Sequence, residues 1–521
     1  MSNTVNLGNG KWAIKDSELL GYSLTDDAEL IALTLDVSRA SSGTRVNASG
    51  LIETVAETGS QLITNGNFAT DSDWTYGADW TISNGVASAS GSAFSSLSPT
   101  TLISVSAGVT YKITFDLNYT SGTLRTKIGG TQTGYLGYSA GNNFVEIFLT
   151  SVDTTNFSLV SANLNGSIDN VSVVEYNDEN LARIDYTDST DGVLLTEPQS
   201  INLIAESEDF SDSYWVKTNA SVVSGQAAPS VDNPTSAFKA VNNSTNGNVA
   251  RTIYVTNGVE YATSVFVKKG NSDTFRISHS NIGDTVFNLV TGVVVSGNGT
   301  IDNIGNGWFR CTKIQTGASI GYFVLYYGIP NSLVNDYFYI FGAQVEEKPY
   351  VTSYMPTYGQ IASRASDVVT NGGEAINFNS EEGVLFAEIA ALGDSGVLRV
   401  ISISDGTDQN RIQIRYESAS NSISVLHRVS GISNVYLTEI VSDETDFIKL
   451  AFKWKSGDFA FWINGVEEAV STYATMFPIN TLTELSYDDS TGVSKFYGKT
   501  KNLQVFKEAL TDAQLITLTT I

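Results

Sequence analysis

Residues 109–117 read Val-Thr-Tyr-Lys-Ile-Thr-Phe-Asp-Leu. Tyr111, Ile113, Phe115 and Leu117 fall on one side of this pattern, and Lys112, Thr114 and Asp116 on the other. Apolar and polar residues alternating at a period of two describe a half-buried antiparallel strand. The same alternation returns in residues 261–268, 322–327, 336–341, 411–416 and 447–454. Turns rich in Gly, Asn, Ser and Asp separate these runs. In Ser83-Asn84-Gly85-Val86 and Ile463-Asn464-Gly465-Val466 the Asn-Gly pair tolerates positive φ twice in a row, as a tight hairpin requires. Helical periodicity is scarce; Thr511-Asp512-Ala513-Gln514 predicts a capping box opening a short C-terminal helix. The chain is therefore expected to be all-β, built of tandem antiparallel β-sandwiches.

Composition narrows the function classes. The 521 residues carry 55 Asp and Glu against 29 Lys and Arg, a net charge of −26. That balance argues against a counterion-release grip on nucleic acid and against anionic membranes. No run of apolar residues is long enough to span a membrane, and residues 1–22 lack the basic-then-apolar pattern of a secretory signal. A single Cys excludes an intramolecular disulfide and a Cys-ligated zinc site. Only His279 and His427 are available as imidazole bases or ligands.

Two internal echoes mark boundaries. Residues 62–74 (LITNGNFATDSDW) and 203–215 (LIAESEDFSDSYW) match without gaps at Leu, Ile, Asp, Ser and Trp. Each opens a long strand-rich segment, which implies two related β-sandwich modules. The shorter echo, Ser38-Arg39-Ala40-Ser41 against Ser363-Arg364-Ala365-Ser366, lies near a change of segment at both places.

Three resemblances follow. Residues 62–74, Trp80-Thr81-Ile82-Ser83-Asn84-Gly85 and the closing Ile168-Asp169-Asn170-Val171-Ser172-Val173 resemble a jelly-roll carbohydrate-binding module spanning about residues 61–176. Residues 38–53, Ala182-Arg183-Ile184-Asp185-Tyr186, residues 192–202 and 203–215, Gly307-Trp308-Phe309-Arg310 and Tyr354-Met355-Pro356-Thr357 resemble bacteriophage virion proteins, chiefly tail or head fibres. In such relatives the first of these stretches runs almost directly into the second, so the carbohydrate-binding-like module here looks inserted. Residues 459–465 (FAFWING), Tyr497-Gly498 and residues 503–511 resemble a laminin-G or concanavalin-A-like sandwich. The expected organisation is an N-terminal virion-attachment-like segment over residues 1–60, the inserted jelly-roll module over 61–177, a second phage-type sandwich over 178–366 and the laminin-G-like sandwich over 367–521.

Sugar binding needs aromatic faces for the CH groups of a pyranose and short polar side chains for its hydroxyls. Trp74, Tyr76 and Trp80 share one parity and are interleaved with Asp73, Thr75 and Asp79. They read either as a sugar platform or as core packing near the start of the module, the reading that recurrence of Trp215 supports for Trp74. Tyr135 and Tyr138, in a Gly-rich stretch, are candidate groove aromatics, with a structural role as the alternative. The carbohydrate-binding resemblance implies a structural calcium at Asn67 and Asp169, although Asn67 is neutral where an acid is common. Acidic turns at residues 405–410, 443–446 and 488–489 offer oxygen ligands of the kind calcium takes, or are simply solvated. Gly137-Tyr138-Ser139-Ala140-Gly141 matches the nucleophile-elbow spacing, but the next residues read as a strand where that motif needs a helix.

The expected function is a non-enzymatic bacteriophage virion surface protein, a tail or head fibre, whose lectin-like sandwiches adhere to host or environmental glycans. Its expected partners are host-surface glycans, other virion structural proteins and copies of itself, a trimer by the fibre resemblance. Nucleic acid and membrane insertion are not expected. The rivals are a capsid or tail decoration protein contacting mainly virion subunits, a glycan depolymerase, and a host-encoded surface adhesin.

Overall fold

Alternating burial is what turns this sequence into sheets. In Thr110–Ile128, Tyr111, Ile113, Phe115 and Leu117 are buried, while the intervening side chains reach solvent. The computed structural model describes residues 5–8, 12–15, 18–21, 33–91, 94–280 and 282–521. Much of residues 1–37, including Asn9, Gly10 and Lys11, lies outside the described residues. The described chain is all-β with antiparallel sheets, as the alternation predicts. Both Asn-Gly hairpins form, with φ of 54° and 76° at Asn84 and Gly85 and of 47° and 87° at Asn464 and Gly465. The C-terminal helix Asp512–Thr519 opens with the expected capping box, in which the Gln514 carboxamide oxygen accepts the Thr511 N–H at 2.9 Å.

Two compact units are present, residues 56–178 and residues 1–55 with 179–521. In residues 56–178, Thr110–Ile128 and Ser158–Asn177 pair antiparallel along almost their whole lengths. Their register shifts around Tyr119, Ser121 and Thr123. At this bend Gly122 has a φ of 94°, and a Cβ there would lie 2.0 Å from the Asn163 carbonyl oxygen, so only glycine fits. The nine-stranded sheet folds at the bend into two layers. One layer gathers Gly141–Thr150, Val86–Ser90 and Trp80–Ser83 around the first half of Thr110–Ile128. The other gathers Thr131–Gln132, Phe94–Pro99 and Trp74–Tyr76 around its second half. Phe68, Trp74, Trp80, Tyr111, Phe115 and Leu159 fill the space between.

The other unit holds two sandwiches. Residues 216–346 form two six-stranded sheets around Phe210, Trp215, Phe275, Phe323 and Tyr327. The C-terminal sandwich packs an eight-stranded sheet against a five-stranded one, around Leu385, Ile401, Phe452 and Trp454. Its large sheet also takes Val5–Gly8, which pairs with Gly498–Phe506, and Arg183–Asp185 with Val193–Thr196. Leu33–Ser38 pairs with Val368–Thr370. Described parts of residues 1–60 and of residues 178–200 thus complete the C-terminal sandwich. Hydrogen bonding to a distant sheet edge is invisible to a segmentation made along the chain.

Candidate functional site

The longer echo is one fastening made twice. The Trp74 indole N–H donates to the Asn65 carbonyl at 2.9 Å, and the Trp215 indole N–H to the Glu206 carbonyl at 2.8 Å. The Leu62 N–H donates to the Val173 carbonyl and the Leu203 N–H to the Val345 carbonyl, each at 2.9 Å. The Gln61 side-chain oxygen accepts from Ile63 N–H and Val173 N–H, and that of Asn202 from Ile204 N–H and Val345 N–H. Further on, the Tyr111 hydroxyl accepts the Ser106 N–H and the Tyr261 hydroxyl the Thr256 N–H, both at 2.9 Å. The shared Gly-Val-x-Tyr at 108–111 and 258–261 was a sequence signal for this last pair, and sequence reasoning missed it.

In each module the second layer carries aromatic rings on its solvent face. In residues 56–178, Phe94 is 72% exposed, and its ring lies 5.5 Å from that of Tyr135. The Arg125 guanidinium stacks 3.8 Å from the centre of the Tyr135 ring and donates to the Gln132 side chain at 3.2 Å. Ser96, Thr123 and Lys127 alternate outward on the same strands. In the second module, Tyr254 is 79% exposed and is the cross-strand partner of Tyr322, with half-buried Tyr326 further along the same face. Arg276, on the neighbouring strand, pairs with Asp284 at 3.1 Å. Ring faces, a planar cation and short hydroxyl side chains are the groups that hold a sugar. Phe94, Arg125, Tyr254, Tyr322 and Arg276 were not legible as a site. The one hint for Phe94 is a lone ring in a Ser- and Ala-rich run that alternates with buried Leu97.

Of the five residues expected to bind sugar, Trp74 and Trp80 are corrected: they stand in opposite layers, and both are buried in the core between them. Tyr76 follows their parity, packs at the edge of that core and donates its hydroxyl to Asp71 at 2.9 Å. Tyr135 stands on the outer face. Tyr138 is half-buried, edge-on to Tyr119 at 6.0 Å, and burial pushes its phenol pKa up. The expected platform is therefore divided between a core and a surface, because alternation fixes parity without saying which parity is inside.

Asn67 and Asp169 do not by themselves fit a calcium. They bring one carboxylate and one amide, with the Asn67 side-chain oxygen accepting the Ala69 N–H and that of Asp169 the Asn170 N–H. Calcium takes six or more oxygens. Among the described residues no group of three or more His, Cys, Asp or Glu side chains is arranged to hold a metal ion. In the acidic turns, Asp405, Asp443 and Asp489 each accept the backbone and hydroxyl hydrogen bonds of the Thr two residues on. Gly141 opens the strand Gly141–Thr150, so Ser139 does not stand before a helix. His279 is buried against the Phe323 ring at 4.2 Å, and burial lowers its pKa to about 3. His427 is buried between Phe459 and Phe477, and burial lowers its pKa to about 4.

The shorter echo and the fibre-like motifs meet in a buried ionic hub. Arg39 pairs with Asp367 at 2.9 Å, and Arg183 pairs with both Asp367 and Glu197. Arg364 reaches Glu197 at 3.0 Å. Ser353 donates its N–H and hydroxyl to Glu197. Thr352 takes a hydrogen bond from Arg364 and donates to the buried Glu346, so three arginines face three acids. Burial by itself would raise the Glu197 carboxyl, but Arg364 and Arg183 hold its pKa at about 2. None of these groups reaches solvent, and their role is to join strands from distant parts of the chain.

No protein-family model matches the chain, and no curated protein matches it either. Among solved structures, the chain is similar to the CBM40 of Ruminococcus gnavus IT-sialidase bound to alpha2,3 sialyllactose, at 16% identity over 29% of this chain and 93% of that one, with a TM-score of 0.25. Domain 4 of AbnA, a GH43 extracellular arabinanase from Geobacillus stearothermophilus in complex with arabinotriose, shares 13% identity over 32% of this chain and 81% of its own, with a TM-score of 0.26. The N-terminal CBM22-1-CBM22-2 tandem domain of Paenibacillus barcinonensis Xyn10C shares 11% identity over 58% of this chain and 99% of its own, with a TM-score of 0.21. Likeness at these TM-scores does not assign a ligand to this chain.

Proposed function

We propose that this chain is a glycan-binding surface protein of a bacteriophage virion, a tail or head fibre that works by adhesion and not by catalysis. The observation that carries glycan binding is the outer face of each fastened module, where exposed Phe94 and half-buried Tyr135 stand beside Arg125 in one, and exposed Tyr254 and Tyr322 stand side by side in the other. Exposed rings flanked by hydroxyl and amide groups suit the alternating apolar and polar faces of a sugar. Each face is shallow, so single-site affinity is low. Two faces per chain, multiplied by the copies on a particle, raise avidity through effective concentration. The virion setting and a trimeric assembly are supported by the fibre-like motifs, and the net charge of −26 favours solubility at a particle surface.

The test is a glycan array probed with the full chain and with Tyr135→Ala and Tyr254→Ala variants. Binding to host-surface polysaccharide that weakens in either variant supports the reading. Absence of binding to any such glycan sinks it, and release of reducing ends from capsule would make the protein a depolymerase instead. Imaging particles with an antibody to this chain tests the virion assignment and separates head from tail.

A further inference from the structure

Residues 1–55 with 179–521 form a partly open cavity of ≈ 120 Å³ between the second module and the strands beside it. At about 10–15 Å³ per water-sized position, it has room for one sugar ring. Its walls carry charges of both signs, and most of them are already matched. Arg45 pairs with Glu53 at 2.8 Å, and Lys499 with Asp188 at 2.7 Å. Asp185 accepts the Val46 and Thr187 N–H groups, and Glu197 belongs to the hub.

Asp302 and Arg310 are different. They are direct cross-strand partners and both line the cavity, yet neither forms an ion pair among the described residues. Arg310 donates only to the Ser264 hydroxyl, and its guanidinium lies 5.3 Å from the Phe266 ring centre. Burial pushes the Asp302 carboxyl pKa up, against the nearby Lys499 and Arg310 charges and a Thr300 hydrogen bond, and pushes that of Arg310 down against the acids around it. An acceptor and a planar donor, both turned to one polar space, leave hydrogen-bonding capacity for a guest. The four cavity acids outnumber the three cations, which disfavours an anion.

We propose that this cavity binds one neutral polyhydroxyl ring, a single sugar residue or cyclic polyol, through a vicinal diol that donates to Asp302 and accepts from Arg310. The site is independent of the exposed aromatic faces and stands or falls separately from them.

Saturation-transfer NMR on the full chain tests this, with glucose, galactose, mannose and inositol as neutral probes and glucuronate as the anionic one. At least one neutral probe should bind, and its affinity should fall at least about tenfold in Asp302→Asn and in Arg310→Lys. Binding should be unchanged in a Tyr135→Ala, Tyr254→Ala double variant. Comparing a free sugar with its methyl glycoside and with a longer oligosaccharide separates a free monosaccharide from a chain end as the guest. The proposal is overturned if no neutral probe binds, if glucuronate is preferred, or if binding follows the tyrosines and not Asp302. A crystal soaked with the bound probe needs no variant: density between Asp302 and Arg310 supports the site, and density only elsewhere overturns it.

Discussion

The two fastened modules share their closure and differ in what the same side chain does next. In residues 56–178, the Gln61 amide that completes the fastening donates to the exposed Ser172 hydroxyl at 2.7 Å. In the second module, the equivalent Asn202 amide donates to the buried Ala343 and Met355 carbonyls, at 3.1 and 2.9 Å. Met355 belongs to the run beside Thr352 and Ser353, so this second fastening leads straight into the ionic hub. One module closes on itself. The other is tied to strands from residues 33–55 and 362–370 through Arg39, Arg364 and Asp367. An internal echo thus specifies how a sandwich is closed, while its buried polar neighbours decide whether it stands apart.

The sharpest way to break this comparison is at the hub. Arg183→Ala removes one of the two arginines that face each of two buried carboxylates, Glu197 and Asp367, and should destabilise residues 179–521 by up to about 5 kcal/mol. Hydrogen exchange read by mass spectrometry should show faster exchange there and unchanged protection in residues 56–178; equal loss in both would refute the separation. Trp74→Ala and Trp215→Ala should each cost their own module about 3–5 kcal/mol, because each indole is buried and closes a loop. Denaturant melts check this, and a Trp74→Ala protein of wild-type stability that fails to bind glycan would restore the sugar-platform reading.

The fastening amides sharpen the contrast at smaller scale. Asn202→Ala leaves buried carbonyls and N–H groups unpaired and should cost about 1–3 kcal/mol, whereas Gln61→Ala, whose amide faces an exposed serine, should cost less. Equal losses in urea melts would show that burial of the amide is unimportant. Tyr135→Ala and Tyr254→Ala should each weaken glycan binding about tenfold, near 1.4 kcal/mol, with little change in melting temperature.

The smallest effect concerns acid. His279 and His427 have folded pKa values below their usual 6.5, so the unfolded chain binds protons first as the pH falls. Their neutral burial costs nothing above about pH 6.5, and stability is lost as the pH drops from there towards 4 and 3. Glu197 adds a loss between its usual 4.5 and about 2. Both ring nitrogens of His427 lack a hydrogen-bond partner, so His427→Leu should be neutral or stabilising at pH 7 and should narrow the melting-temperature gap between pH 7 and pH 5. An unchanged gap would assign the acid sensitivity elsewhere.

The all-β class, both Asn-Gly hairpins, the capping box at Thr511 and the pairing of the echo segments were legible from residues alone, since period-two burial and turn chemistry are local properties. The proposed sugar site was legible in part. Tyr135 was singled out, but Trp74 and Trp80 drew attention because large aromatics stand out wherever they sit. Phe94 did not, because a single ring in a polar run has no pattern, and Tyr254 and Tyr322 did not, because a tyrosine in an apolar strand reads as core. The repeated Ser-Arg-Ala-Ser could be seen, but not that Arg39 and Arg364 would enter one hub with Arg183. Local alternation is written in adjacent residues, so the chain carries it unaided. The inward parity, the partners of a buried charge and the neighbours of an exposed ring depend on strands far apart in sequence, and only their packing decides them.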